Sequence, residues 1–301
     1  MEVDATGHVI VYSGVAAVGQ GIATTLAQVC TDQLGVPAET ITVVHGDSRR
    51  VPFGVCGFAS RGGAVALPAA LEAAKALRAK ILGIAASQLE AHEDDLVLED
   101  RGVHVRGAAD RRVTFRDLAR AAVTGPPGAE PGLVASHVFE APKMTYPYGT
   151  HVAVVEVDVE TGEVAILKYA IAYDVGKAVN PLIVDGQLVG ALAQGIGGAL
   201  LEELVYDEGG QLLTTTFMDY LLPTSMEMPA ATAVLILEET PTPLNPLGVK
   251  GVGEGGSSGA GAALANAVAD ALAPLGVSIT ALPLSPNRLL ELIRAARTES
   301  A

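Results

Sequence analysis

The stretch Val152-Ala153-Val154-Val155-Glu156-Val157-Asp158-Val159-Glu160-Thr161-Gly162-Glu163-Val164, continuing through Ile166 and Ile171 to Tyr173, decides how the fold reads. Apolar and mostly β-branched residues alternate with acidic ones up to a Thr-Gly turn and then resume. That pattern predicts two strands joined as a hairpin. Downstream, apolar spacing predicts a helix around Gln187 to Leu204, a hairpin at Asp207 to Gln211, a strand at Ala231 to Leu237 and a helix at Ala260 to Leu272. Ser285-Pro286, a capping residue followed by proline at the first helical position, opens a terminal helix.

Upstream, Val9 and Val11 alternate into a Ser13-Gly14 turn, and a helix is expected from about Gly21 to Leu34. Ile41 to Val44 reads as a strand, followed by a loop from Gly46 to Ser60. Ala64 to Ser87 reads as a long helix that Pro68 either kinks or begins. Leu96 to Leu98 and Val103 to Val105 flank the turn Asp100-Arg101-Gly102, and Thr114 with Asp117 forms a capping box for a helix to about Val123. Gly125-Pro126-Pro127-Gly128-Ala129-Glu130-Pro131-Gly132 reads as a linker, so two lobes are expected, 1–133 and 134–301. No internal repeat is read. Strands and helices mix without a strict βαβ rhythm, which places the chain in the α+β class.

The chain has 301 residues, 50% of them hydrophobic and 18% charged, enough to bury a substantial core. Its formal net charge of -15 argues against a nucleic-acid partner, which would need a basic face. An anionic cofactor remains compatible, because backbone amides at helix starts bind phosphate without cationic side chains. The two cysteines, Cys30 and Cys56, lack the spacing of a zinc or iron–sulfur motif and read as free buried thiols. Met1-Glu2-Val3-Asp4 does not read as a signal peptide, and no apolar run is expected to approach a membrane span, so the cytoplasm is the expected compartment.

Three glycine-rich segments stand beside expected helices: Gly19-Gln20-Gly21, Gln194-Gly195-Ile196-Gly197-Gly198 and Gly251 to Gly261. Glycine lets a ligand approach the backbone, and helix N-termini offer unpaired N–H groups to anions, so the three together point to an extended phosphate-bearing ligand. Close helix packing would use the same residues. Gly251-x-Gly253-x-x-Gly256 matches a dinucleotide fingerprint but follows a proline-rich stretch and not a strand. Gly255-x-Ser257-x-Gly259 matches a nucleophile elbow, yet all six histidines (His8, His45, His92, His104, His137 and His151) precede Ser257, the reverse of the required order. What remains is Glu254, a carboxylate flanked by glycines that offer no side chain to pair it. Burial of that turn against a ligand would raise its pKa towards that of a general base.

In order and spacing, several segments together resemble the molybdenum-binding subunit of the xanthine oxidase family, close to the large subunits of aerobic carbon monoxide dehydrogenase-like enzymes. They are Gly19-Gln20-Gly21 with Thr24 and Gln28; Gly46-Asp47-Ser48 leading to Gly57-Phe58-Ala59-Ser60-Arg61; Asp174-x-Gly176 with Asn180-Pro181; Gly186-Gln187 and Gln194-Gly195-Ile196-Gly197; and Lys250-Gly251-Val252-Gly253-Glu254. The resemblance implies the C-terminal half of that subunit, folded as two mixed α/β lobes of the second molybdopterin-binding domain.

It further implies molybdopterin cytosine dinucleotide, with molybdenum held by the pterin's sulfurs and no protein metal ligand. Gly19, Gln20, Gly21, Ser60, Arg61, Gln187, Gln194, Gly195, Gly251 and Gly253 would line that cofactor. Glu254 would be the base in oxidation of a small heterocycle, aldehyde or related substrate with water-derived oxygen. [2Fe-2S] clusters and FAD are expected on an iron–sulfur subunit and a FAD subunit. The N-terminal half of the molybdenum subunit, with its own glycine-rich loop, is expected as a further partner, because the chain reads as a split subunit or an excised domain. Ala17-Val18 replaces an acidic residue that many relatives carry before the first glycine turn, and Gly62 replaces a second serine. The competing reading is a non-catalytic molybdopterin-binding or assembly module.

Overall fold

The computed structural model describes residues 1–51, 53–123 and 131–299. Two units emerge, Met1–Thr145 with Pro241–Gly251 and Tyr146–Thr240 with Val252–Ala301.

The first unit opens with β1 (Glu2–Val3) and β2 (Val9–Ser13), joined by a turn in which Asp4 Oδ1 accepts from the N–H groups of Thr6 at 2.8 Å and His8 at 3.0 Å. Helix α1 (Ile22–Leu34) then crosses to β3 (Ile41–His45), which pairs parallel with β2. A π-helical turn at Gly62–Ala66 runs into α2 (Leu67–Leu89), so Pro68 lies in the first turn of that helix and does not kink it. The strands β4 (Leu96–Glu99), β5 (Gly102–Val105) and β6 (Ala108–Thr114) form an antiparallel sheet. Asp100 and Arg101, with φ of 46° and 58°, make the left-handed two-residue turn that suits a hairpin. β6 was not expected, because its polar run from Ala109 to Arg112 is exposed and shows no apolar alternation.

Helix α3 (Phe115–Val123) starts at the foreseen cap. Asp117 N–H donates to Thr114 Oγ1 at 3.2 Å, and the Thr114 hydroxyl donates back to Asp117 at 2.6 Å. Strand β7 (Leu133–Val134) pairs with β1 and completes the sheet β3-β2-β1-β7. The expected division between 133 and 134 therefore falls inside a two-residue strand, and the first unit runs on to Thr145. Of the expected linker, residues 125–130 lie outside the described residues. Leu26, Cys30 and Leu34 of α1, Leu77 and Ile81 of α2, and Phe115 and Leu118 of α3 are fully buried. Both cysteines are free thiols, but only Cys30 is buried; Cys56 is exposed, against expectation.

The second unit repeats the opening order of elements. β8 (Tyr148–Val157) and β9 (Val164–Asp174) pair antiparallel around a turn in which Asp158 Oδ1 accepts from Glu160 N–H at 2.8 Å and Thr161 N–H at 3.1 Å. Helix α4 (Pro181–Leu200) crosses to β10 (Thr232–Leu237), parallel to β9. Thus β1-β2-α1-β3 and β8-β9-α4-β10 share one topology, with the second strand central in each sheet. α4 begins at Pro181, earlier than Gln187, because Asn180 caps it by accepting from Ile183 N–H at 3.1 Å; it ends at Leu200, short of Leu204. The expected hairpin at Asp207 to Gln211 is a single bridge between Tyr206 and Leu212. Helices α5 (Ala260–Leu272) and α6 (Pro286–Glu299) complete the unit.

Separate sheets and helices around these cores make the class α+β. Against expectation, α4 is long and apolar enough, at 20 residues and a mean hydropathy of 1.2, to pass a membrane-span test of length and composition. Its Val184, Leu188, Leu192, Ile196, Ala199 and Leu200 instead enter the core of the second unit with Tyr169, Ile171, Leu264 and Leu289. Leu192 is fully buried. Leu192→Ala is expected to destabilise the unit by about 2–5 kcal/mol, read as a lowered urea midpoint.

Candidate functional site

A parallel strand pair ends both of its strands at one edge, so the loops leaving them share that edge. In the first unit those loops carry Gly19-Gln20-Gly21, after β2, and Ser60-Arg61, after β3. In the second unit the crossover from β9 leads into α4 with Gln187, Gln194 and Gly195, and Glu254 lies between β10 and α5.

In the first unit, Val55 N–H donates to Gly14 O at 2.8 Å, tying the long loop to the end of β2. This brings Gly57 beside Gln20, whose Oε1 lies 3.7 Å from the point where a Gly57 side chain would begin. Gly21 is the left-handed N-cap residue of α1, with φ of 67°. Ala59 and Ser60 are consecutive non-glycine residues at φ of 52° and 61°, a pairing that holds only where surrounding contacts enforce it. Arg61 follows, its guanidinium carbon 5.8 Å from the centre of the Phe58 ring. Its Nε is buried and has no hydrogen-bond partner among the described residues.

Gly251 reaches the same place from far along the chain. A Cβ on it would lie 1.8 Å from Ser60 Oγ and 2.7 Å from Ser60 Cβ, so the two residues are in intimate contact. The approach to Gly251 is shaped by Asn245, a residue the sequence analysis did not single out. Its amide donates to Val249 O at 2.9 Å and its Oδ1 accepts from Leu247 and Val249 N–H at 3.2 Å each. The signal for it was an asparagine set between Pro243 and Pro246.

In the second unit, Gln187 and Gln194 stand two turns apart on one side of α4; Gln187 is half-buried and Gln194 exposed. The segment Gln194–Gly198 does not open a helix but lies within α4. A Cβ on Gly195 would meet the Ala260 methyl carbon at 2.5 Å and Ser257 Cα at 3.2 Å, so this glycine lets the turn before α5 pack on α4. Gly253 is half-buried. Gly256 lies against the α4 backbone, where a Cβ would stand 2.0 Å from Leu188 O and 2.5 Å from Leu192 N.

The turn closes on itself: Glu254 O accepts from Ser257 N–H at 3.2 Å, Ser258 N–H at 3.1 Å and the Ser257 hydroxyl at 3.2 Å. The Ser257 hydroxyl therefore serves the turn. The Glu254 side chain is exposed, not buried as the glycine context suggested. Its backbone turn is anchored and its carboxylate is free to project. Burial, and secondarily the Glu254 charge, push the Tyr173 phenol above its ordinary pKa, and a Cβ on Gly255 would meet the Tyr173 ring at 2.8 Å. Asp174 and Asn180, quoted above as motif residues, prove structural. Asp174 is buried and accepts from Gly176 N–H at 2.9 Å and from the Thr240 hydroxyl at 2.8 Å, while Asn180 caps α4. Among the described residues no group of three or more His, Cys, Asp or Glu side chains could hold a metal ion.

The Ser60–Gly251 contact is testable by a compensating pair. Gly251→Ala is expected to destabilise the chain by roughly 1–3 kcal/mol through overpacking. Adding Ser60→Gly removes both close atoms and suits the left-handed backbone there, so the double variant is expected to regain most of the lost melting temperature.

Residues 1–229 match the molybdopterin cofactor-binding domain family. The chain is 41% identical over 292 residues to the 6-hydroxypseudooxynicotine dehydrogenase complex subunit gamma of Paenarthrobacter nicotinovorans, covering 96% of this chain and 36% of that one. It is 37% identical over 285 residues to the carbon monoxide dehydrogenase large chain of Afipia carboxidovorans, covering 94% and 35%. The crystal structure of quinoline 2-oxidoreductase from Pseudomonas putida 86 superposes with a TM-score of 0.86 at 39% identity, covering 97% of this chain and 37% of that one. The chain thus spans about a third of the length of these relatives.

Proposed function

We propose, from the premise that this chain belongs to the molybdopterin cofactor-binding domain family, that it supplies part of the active site of a molybdenum hydroxylase. The observation that carries the proposal is the buried Nε of Arg61, without a hydrogen-bond partner among the described residues and next in sequence to the Ser60 that contacts Gly251. A buried N–H left without an acceptor costs about 1–3 kcal/mol, which an anionic acceptor would recover. Cofactor phosphate is such an acceptor, and the left-handed backbone at Ala59–Ser60 holds the donor ready. Molybdopterin in its cytosine dinucleotide form, with a pyrophosphate, fits this cradle.

Gly19, Gln20, Gly21, Ser60, Arg61 and Gly251 on the first unit, and Gln187, Gln194 and Gly253 on the second, are the residues we assign to holding it. Gly195 contributes by letting the Glu254 turn pack on α4. The two units are the two lobes of the binding domain. The bound group supplies two-electron oxidation and activation of a water-derived oxygen. Glu254 supplies the base: its exposed carboxylate takes the proton that the oxygen loses as it attacks a small heterocycle, aldehyde or related substrate, and later releases it to solvent. The Glu254 exposure in this chain is consistent with a pocket that another polypeptide completes.

Electrons must then leave. Cys30 is buried, its thiol pushed up to about 12 by that burial, and Cys56 is exposed. Neither suits a cluster, and we assign [2Fe-2S] clusters and FAD to partner subunits, in a cytoplasmic complex. In the assembled, cofactor-loaded complex, Glu254→Gln is expected to lower kcat by about 10²–10⁴-fold while molybdenum and pterin content stay unchanged. Full turnover by that variant overturns the base assignment and favours a cofactor-holding module. Arg61→Met is expected to weaken retention of the pterin by roughly 10–100-fold, read by pterin content after dialysis, because a charge-assisted hydrogen bond contributes about 1.5–3 kcal/mol.

A further inference from the structure

Behind the Glu254 turn lies a pair, the half-buried His151 and the buried Tyr169, that the proposed reaction does not use. His151 on β8 faces Ile171 across the ladder and Tyr169 on β9 faces Ala153, which sets their side chains diagonally on one face of the sheet. Tyr169 is 2% exposed and its phenol is pushed up to about 12 by burial, so it remains an O–H donor. Its oxygen lies 2.9 Å from His151 Nδ1. The Gly255 carbonyl facing Nε2 can only accept, so Nε2 carries the proton and Nδ1 of the neutral ring accepts from the Tyr169 O–H. Nε2–H then donates to the Gly255 carbonyl oxygen, also at 2.9 Å.

Burial holds His151 below the usual imidazole pKa, with the Gly255 hydrogen bond opposing, and this agrees with a neutral ring. The two rings meet edge to face at 5.8 Å and 81°. The imidazole also occupies the space that a side chain at residue 259 would need, since a Gly259 Cβ would lie 2.6 Å from His151 Cδ2.

Two successive carbonyls are therefore held. Glu254 O is bound by Ser257 and Ser258, and Gly255 O by His151. These bonds fix the two peptide planes on either side of Gly255, and with Gly255 N–H donating to Val252 O at 2.9 Å they hold the turn that carries Glu254. We propose that His151 is a positioning residue for the catalytic base: Tyr169 holds its Nδ1, and its Nε2–H clamps the Gly255 carbonyl, so that the turn presenting Glu254 to the reacting centre keeps one conformation. This rests on Glu254 being the base.

The test uses the cofactor-loaded complex. Glutamine at 151 can place an amide N–H where Nε2–H stands, whereas asparagine is too short to reach Gly255 O. His151→Asn is expected to lower kcat about tenfold or more with KM within about twofold, since misdirection of a catalytic group acts on the chemical step. His151→Gln is expected to restore kcat to within about threefold of the parent, because it restores the clamp. Molybdenum and pterin content should not change. Independently of turnover, amide hydrogen exchange in residues 253–258 should rise in His151→Asn, and not in His151→Gln, while the rest of the second unit stays protected. Equal loss in both variants, no loss in either, or exchange raised throughout the unit overturns the proposal. Failure of the base assignment reads differently: Glu254→Gln would keep its turnover while the exchange contrast between the two His151 variants persisted.

Discussion

Close contact between a glycine turn and a helix backbone underlies the second unit. Gly256 sits where any side chain would strike Leu188 O and Leu192 N, and Gly255 sits where one would strike the Tyr173 ring and Leu188. Backbone against backbone is the nearest approach two segments can make. From that approach follow the start of α5 at Ala260, the fit of Ala260 against Gly195, the clamp of His151 on Gly255 O and the outward position of Glu254.

The first unit uses a different device for the same purpose. There the strain lies in Ala59 and Ser60, both left-handed without being glycine, and the missing side chain is that of Gly251. The arrangement leaves the Arg61 Nε without an acceptor among the described residues, a state that the proposed cofactor contact would resolve. Both units place such features at the carboxyl edge of a parallel strand pair, because both share the order hairpin, crossover helix, parallel strand.

That shared order left a trace in the amino acids that was not read as a repeat. Glu2-Val3-Asp4-Ala5-Thr6-Gly7-His8-Val9 and Glu156-Val157-Asp158-Val159-Glu160-Thr161-Gly162-Glu163-Val164 build the same kind of aspartate turn. One extra residue in the second turn, and unequal loops before α2 and α5, break the fixed period by which a repeat is recognised. Likewise Asn180-Pro181 was read as part of a motif, although an N-cap followed by proline is the ordinary start of a helix. The exposed, polar β6 offered no period at all.

Local pattern determined the helices and the longer strands but not β1, β6 or β7, together with the α+β class and the resemblance carried by Gly19-Gln20-Gly21, Ser60-Arg61 and the run to Glu254, because alternation, caps and motifs are properties of neighbouring residues. The tertiary structure alone decided that the chain returns to the first unit over 241–251, that Ser60 requires a glycine at 251, and that His151 and Tyr169 stand behind Glu254. Those facts depend on contacts between segments distant in sequence, where the decisive quantity is the space left between atoms. Glu254 was identified from its neighbours in sequence. Its exposure, and the hydrogen bonds that hold its turn, were set by packing.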